Sequence, residues 1–349
     1  MQSIFDGHND TLLRLWRAKD RDGTRFLDGD GAGHIDLPRA RAGGLSGGLF
    51  AIYVPGEVEP KVIGDGNDGG ITDEPPIGPV DSSFARRATL EMASILLRMA
   101  TVRPDAIRVC RTAAEIEGAQ EAGAIAAVMH IEGAEAIGPD LAELDVLYAA
   151  GLRSLGPVWS RSNLFGQGVP FRFPSHPDHG HGLTDEGKAL VRRCNALGIM
   201  VDLAHLNEAG FRDVAAITDA PLVASHSNVH ALSASSRNLL DWQMAAIAES
   251  GGLVGLNYAV GFLREDGRRV SDTPLTTMIR HLDAMIEAMG EGCVALGSDF
   301  DGALIPAEIG DAGGLPALVG AMRQAGYGEA LVERICRGNW VDLLRRTIG

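Results

Sequence analysis

Residues 198–205 read Gly-Ile-Met-Val-Asp-Leu-Ala-His, and residues 222–226 read Leu-Val-Ala-Ser-His. Both runs are largely apolar, and each ends in a histidine, His205 or His226. Between them, residues 207–218 have their apolar side chains at helical spacing. The order strand, helix, strand predicts a βαβ unit, whose two strands run parallel. The two histidines should therefore emerge at the same edge of the sheet, where a pair of neutral imidazoles suits a metal ion.

Apolar runs suited to buried strands recur along the whole chain, and most are followed by helical sequence. They are centred near residues 4, 49, 127, 155, 202, 223, 255 and 295. Eight alternating strands and helices predict an α/β fold, a (β/α)₈ TIM barrel. We expect one catalytic domain over residues 1–349, with loop excursions near 55–80 and 160–183 where Pro and Gly are frequent.

The composition narrows the classes of partner. A net charge of −15 argues against nucleic acid and against an anionic membrane surface. No apolar run reaches the length of a membrane span, and the N-terminal residues have no signal-like apolar segment. The 4 cysteines have no C-x-x-C spacing and are expected to be reduced. These features predict a cytoplasmic protein.

Five of the predicted strands end in side chains that can bind a metal ion or carry a proton. These side chains are His8, Asp10, Glu132, His205, His226 and Asp299. In a (β/α)₈ barrel, the loops that follow the strands build the active site at one mouth. Histidines and carboxylates gathered there would repel and desolvate one another without a cation.

The donor types predict which cations fit. Nitrogen and oxygen ligands without a thiolate suit Zn²⁺, with Mn²⁺, Co²⁺ or Fe²⁺ as alternatives. Two such ions can share one carboxylate and one water molecule. The shared water then loses its proton near neutral pH and becomes a nucleophile. The cluster therefore indicates a binuclear hydrolytic site.

Several motifs occur in a fixed order over nearly the whole chain. They are Asp6-Gly-His-Asn-Asp-Thr11, Ile131-Glu-Gly133, Val201-Asp-Leu-Ala-His205, Ala224-Ser-His-Ser-Asn228, Ser235-Ser-Arg-Asn238 and Gly297-Ser-Asp-Phe-Asp-Gly302. Any one of them alone is a weak signal. Together they resemble the membrane (renal-type) dipeptidases, the zinc peptidases of family M19.

This resemblance implies a binuclear zinc dipeptidase on an amidohydrolase-like barrel. It implies that His8 and Asp10 bind one metal ion and that His205 and His226 bind the other. Glu132 would bridge the two ions. The expected partner is a small dipeptide, including L-Xaa-D-Xaa, because the family accepts a D-residue at the C-terminal position. A homodimer is compatible with the sequence.

The resemblance also implies roles in catalysis and substrate binding. Asp299 would take a proton from the attacking water and pass it to the leaving amine. Arg237 would bind the C-terminal carboxylate of the substrate, for which a planar bidentate donor is well suited. Asp301 competes with Asp299 for the proton-transfer role, but the family motif selects Asp299.

One position departs from the family pattern. The family usually has a histidine after the fourth barrel strand, where this chain has Trp159. An indole N–H can donate a hydrogen bond but cannot titrate. We expect Trp159 to donate to the developing oxyanion or to shape the pocket wall. We also assign Tyr258, which ends the seventh apolar run, to substrate binding.

The sequence is also compatible with two other functions, and it allows two roles for His130. A different barrel amidohydrolase, acting on a cyclic amide, lactone or related ester, would need no carboxylate clamp at Arg237. A non-catalytic barrel could keep metal ions for stability alone. His130, two residues before Glu132, either supports the site from a deeper layer or belongs to the core.

Overall fold

The computed structural model describes residues 1–56 and 78–349. Within these ranges the chain alternates strands and helices from end to end. The strands are β1 (Ile4–Asn9), β2 (Leu45–Tyr53), β3 (Ile107–Val109), β4 (Ile125–Glu132), β5 (Leu152–Gly156), β6 (Met200–Val201), β7 (Val223–Ser227), β8 (Leu253–Asn257) and β9 (Val294–Gly297). The helices are α1 (Thr11–Arg17), α2 (Leu37–Gly43), α3 (Ser82–Val102), α4 (Ala113–Glu121), α5 (Ala142–Ala150), α6 (Asp185–Leu197), α7 (Glu208–Ile217), α8 (Asp241–Glu249), α9 (Val260–Leu263), α10 (Leu275–Met289), α11 (Leu315–Gln324), α12 (Glu329–Glu333) and α13 (Asn339–Thr347).

The strands form a curled parallel sheet. One part has the order β1-β2-β4-β5-β6, and a second part has the order β7-β8-β9. Isolated parallel bridges link the two parts, from Asp202 to Val223 and from Asn9 to Phe300. The first and last strands therefore meet, and the prediction of a (β/α)₈ barrel is confirmed. The short β3 pairs with the start of β4 and was not predicted.

The strand sequences explain why the sheet is buried on both faces. All residues of β4 are buried, and apart from His130 and Glu132 they are apolar. Helices cover the outer face of a parallel barrel and side chains fill its interior, so such strands are apolar nearly throughout. Gly255 and Gly297 are required by a close approach, because a Cβ atom at either position would lie 2.0 Å from the Ser225 carbonyl oxygen.

Helix starts follow the capping residues of the sequence. The Asp36 side chain accepts from the Arg39 N–H at the start of α2. Thr184 caps α6, and Asn207 caps α7. The α7 helix therefore starts just after the loop that carries His205.

Of the two predicted loop excursions, the one near 160–183 lies within the described residues. Residues 157–184, between β5 and α6, contain isolated bridges but no helix or longer strand. Most of the excursion near 55–80 lies outside the described residues. Across 1–56 and 78–349, no helix combines the length and apolarity that a bilayer crossing requires.

Candidate metal centre and active site

The ends of β1, β4 and β7 and the loop after β6 bring four predicted ligands together, with three histidines around one carboxylate oxygen of Glu132. Glu132 Oε1 lies 2.8 Å from His205 Nε2, 3.4 Å from His226 Nε2 and 3.7 Å from His8 Nε2. On the β1 side, His8 Nε2 lies 3.5 Å from Asp10 Oδ2. All five side chains are buried. Residues far apart in the chain thus form one compact donor cluster.

Burial and charge give the three histidines different properties. Burial lowers the pKa of His205 and of His226 well below the ordinary value, so both imidazoles are neutral. Burial also opposes a charge on His8, but the carboxylates of Glu132 and Asp10 outweigh it and raise its pKa to about 10. Burial raises the pKa of Glu132. His205 and His226 therefore offer neutral nitrogen donors. The carboxylates of Glu132 and Asp10 favour a positive charge at the position of His8.

Unpaired atoms in the cluster provide a test of whether a metal ion fits. Both ring nitrogens of His8 and Oδ1 of Asp10 are buried without a hydrogen-bond partner among the described residues. Buried polar atoms are almost always paired in folded proteins. Donor atoms of His8, Glu132 and His226 lie within 4.8 Å of one another, as do those of His8, Asp10 and Asp299. Nitrogen and oxygen donors at this density fit divalent cations.

Asp299 lies just beyond β9, beside the donor cluster. Its Oδ2 accepts a hydrogen bond of 3.0 Å from the Asn257 side chain. Burial raises the pKa of Asp299, while charge on His8 and the Asn257 hydrogen bond lower it. Asn257 was missed by the sequence analysis. The available signal was a polar residue at the end of an apolar strand, the same signal that identified Glu132.

Arg237 is brought to the same mouth by the loop after β7. Its guanidinium is buried and donates to the His226 carbonyl oxygen at 3.0 Å and to Ser227 Oγ at 3.4 Å. Its Nε has no partner among the described residues. Burial lowers its pKa, and the nearby charges of Asp299 and Glu132 oppose that shift. Within the described part of the chain, the Arg237 guanidinium therefore has an N–H group beside the cluster that is not used in a hydrogen bond.

Aromatic side chains form part of the cavity beside the donors. Trp159 lines this cavity together with Tyr53, Phe171 and Phe262. The ring centroid of Trp159 lies 4.8 Å from that of Tyr53 and 5.8 Å from that of His205. Within the described residues, the cavity lining does not include Tyr258, which is fully buried with its ring edge-on to Phe300.

The backbone is unusual at three positions of this mouth. His205, Asp299 and Asp301 have φ angles of 68°, 59° and 66°. Residues other than glycine rarely adopt this left-handed conformation, which costs about 1–3 kcal/mol per residue and is concentrated at functional sites. The Asp301 carboxylate accepts from Arg14 Nε at 3.1 Å and from the His34 N–H.

His130 occupies a deeper layer than the cluster. Its Nδ1 is 2.8 Å from Ser154 Oγ, and its Nε2 is 3.6 Å from Asp202 Oδ2. Its ring packs edge-on against His8, with centroids 5.5 Å apart. Burial lowers its pKa to about 4. His130 is thus a neutral residue that supports the His8 ring from below.

A parallel barrel with nitrogen and oxygen donors at the C-terminal ends of its strands has the architecture of a metal-dependent hydrolase. Comparison with known proteins narrows this class. The model of the membrane dipeptidase family, peptidase family M19, matches residues 1–347. The chain belongs to this family.

Close relatives agree with this assignment. A solved structure of dipeptidase AC, a metallopeptidase of family M19, is 51% identical, with a TM-score of 0.94 over 100% of this chain and 99% of that chain. A metallopeptidase from Rhodobacter sphaeroides, solved with a phosphinate mimic of the dipeptide L-Ala-D-Ala, is 50% identical, with a TM-score of 0.93 over 99% of both chains. A Klebsiella pneumoniae protein from the pqqA 5′ region is 46% identical over 73% of this chain and 94% of its own length. The protein is a metallo-dipeptidase, a hydrolase of peptide bonds.

Proposed function

We propose that this protein is a binuclear zinc dipeptidase that hydrolyses dipeptides with a free C-terminal carboxylate, including L-Xaa-D-Xaa. The observation that carries the proposal is the position of Glu132, with one carboxylate oxygen within 3.7 Å of three histidine nitrogens. The dipeptide mimic bound by the Rhodobacter sphaeroides relative supports the substrate class.

In this proposal the cluster divides between two cations. His8 and Asp10 would hold one, His205 and His226 the other, and Glu132 would contact both. When bound, divalent ions supply Lewis acidity, which polarises a carbonyl oxygen and lowers the pKa of water. The buried atoms of His8 and Asp10 that have no hydrogen-bond partner among the described residues would be the ones available to bind such an ion.

The protein's own side chains would supply proton transfer and orientation. Asp299 accepts a proton from the attacking water and donates it to the leaving amine. Asn257 holds the carboxylate of Asp299 in place through its 3.0 Å hydrogen bond. Arg237 binds the substrate carboxylate with its remaining donor capacity, and its buried position strengthens that contact. Trp159 forms the wall beside His205, as its aromatic contacts support.

A hydrolysis screen tests the proposal directly. The chain is stripped of metal, reloaded with Zn²⁺ or left empty, and assayed against L,L and L,D dipeptides. We expect turnover of free dipeptides only in the loaded protein. A panel of lactones, cyclic amides and esters serves as the competing substrate class. Turnover confined to that panel, or no turnover of any compound, would overturn the proposal.

Arg237→Ala separates the two hydrolase classes within the same screen. A dipeptidase that binds the carboxylate should lose activity in this variant, whereas a hydrolase of uncharged substrates should not. Arg323→Ala is a suitable control, because this arginine pairs with Glu329 on the exposed surface. Zinc as the native metal, a homodimer and a cytoplasmic location stay predictions. Elemental analysis, light scattering and cell fractionation test them.

A further inference from the structure

A buried hydrogen-bonded chain of three side chains ends at His226. Ser225 Oγ donates to Asp202 Oδ2 and lies 2.8 Å from His226 Nδ1. All three residues are at most 1% exposed. The bridge between Asp202 and Val223 sets Asp202 beside β7, the strand that carries Ser225. Barrel closure between β6 and β7 therefore creates this contact.

The direction of the hydrogen bonds follows from the chemistry of the groups. A carboxylate can only accept, and Asp202 Oδ1 already accepts from the backbone N–H groups of Ala204 at 3.0 Å and Ser225 at 2.8 Å. The single hydroxyl hydrogen of Ser225 is used on Asp202, so its oxygen must accept from His226. The proton of the imidazole then lies on Nδ1. The lone pair of Nε2 is left facing the cluster, 3.1 Å from His205 Nε2 and 3.4 Å from Glu132 Oε1.

The other histidines of the cluster are held differently. His205 Nδ1 lies 2.8 Å from Ser160 Oγ, but within the described residues no carboxylate accepts from that hydroxyl. Ser160 can therefore either donate or accept. His8 has no hydrogen-bond partner on either ring nitrogen among the described residues. Among the described residues, His226 is therefore the only histidine of the cluster whose hydrogen-bond direction is fixed by a carboxylate.

We propose that Asp202 and Ser225 are positioning residues that hold His226 as its Nδ1–H tautomer and so present Nε2 to the metal. This rests on the proposed function only in taking His226 as a ligand. A metal ligand with the wrong tautomer must move its proton before it can bind, which weakens affinity. Loss of such outer partners typically costs about 10- to 100-fold in metal affinity.

Zinc affinity of purified variants, measured by competition with a chelator, tests the proposal. Ser225→Ala leaves His226 Nδ1 without a partner and should weaken Zn²⁺ binding about 10- to 100-fold. Asp202→Asn should weaken it more, because its amide can donate to Ser225 and so reverse the hydroxyl, which then places the imidazole proton on Nε2. Ser46→Ala is the matched control, because this serine hydroxyl donates to the Ile4 carbonyl oxygen and accepts from Gln120 at the opposite end of the barrel, and it should change affinity by less than about twofold.

A second readout separates positioning from general damage. In the metal-free protein, the ¹⁵N shifts of the His226 ring report which nitrogen carries the proton. Wild type should show the Nδ1–H form, Ser225→Ala a mixture and Asp202→Asn the Nε2–H form. Zinc affinity of Ser225→Ala within twofold of wild type, or a wild-type tautomer in Ser225→Ala, would overturn the proposal. If Asp202→Asn fails to fold, Ser225→Ala decides alone. A protein with these zinc affinities that cleaves no dipeptide would overturn the proposed function and leave this inference standing.

Discussion

The two sides of the barrel mouth solve different problems. On the β6–β7 side, His205 and His226 each have a serine hydroxyl 2.8 Å from Nδ1, and the Asp202–Ser225 pair fixes the tautomer of His226. On the β1–β9 side, His8 and Asp10 keep buried atoms without partners among the described residues. Both sides contain a left-handed residue, so backbone strain does not distinguish them. We call the β6–β7 side the histidine side and the β1–β9 side the carboxylate side. On the histidine side, serine hydroxyls hold the ring nitrogens, whereas on the carboxylate side the polar atoms without partners can bind a cation.

Glu132 joins the two sides, so its removal should have the largest effect. Glu132→Gln keeps the size of the side chain but removes the charge shared by the three histidines. We expect kcat/KM to fall more than about 10³-fold, which corresponds to the loss of about 4 kcal/mol of transition-state stabilisation. Elemental analysis should also show less bound metal. Full metal content with unchanged kcat/KM would show that the two sides do not depend on Glu132.

Asp299 tests whether the carboxylate side carries proton transfer beyond metal binding. Asp299→Asn should retain the metal and lower kcat by about 10²- to 10⁴-fold, because the amide cannot accept a proton from water. Single-turnover kinetics and elemental analysis on the same sample check both points. Loss of metal in parallel with activity would instead make Asp299 a ligand.

Arg237 tests the contact to the substrate carboxylate. Arg237→Ala should raise KM and lower kcat/KM by about 10- to 100-fold, the range expected for a lost charge-assisted hydrogen bond. A dipeptide C-terminal amide provides the control, because it lacks the charge that Arg237 would bind. Equal losses on the free dipeptide and on its amide would contradict the assignment.

Trp159 lies beside the histidine side, where the family usually has a titratable histidine. Its indole N–H makes no hydrogen bond to a described residue, and its ring packs between Tyr53 and Phe171. We therefore expect Trp159→Phe to lower kcat/KM by less than about tenfold. Loss of an oxyanion donor would instead cost about 10²- to 10³-fold. A loss in that higher range would establish the indole as a donor.

The pH profile gives the finest test of the carboxylate side. Asp299 must be ionised to accept a proton, so activity should fall as the pH drops through its pKa. Burial raises that pKa, and the Asn257 hydrogen bond lowers it. Asn257→Ala removes the lowering contribution, so the acid limb of kcat/KM should move to higher pH. An unchanged limb would assign it to a different group.

The strand ends could be predicted because each depends on local sequence. An apolar run followed by a histidine or a carboxylate fixes both a strand and the residue at its C-terminal end, as at Glu132 and His226. The same logic should have found Asn257 at the end of β8. Tyr258, one residue further on, is fully buried, and its assignment to substrate binding stays a prediction.

The sequence by itself determined the parallel barrel, the membrane dipeptidase family and most of the side chains proposed at the mouth, because hydrophobic periodicity and motif order are properties of the linear sequence. The tertiary structure decided what those side chains do to one another. The Ser160–His205 contact joins residues 45 positions apart, and His205 and Asp299 adopt a left-handed backbone that no local sequence signal predicted. Distances, tautomers and pKa shifts arise only when remote segments pack together and exclude water.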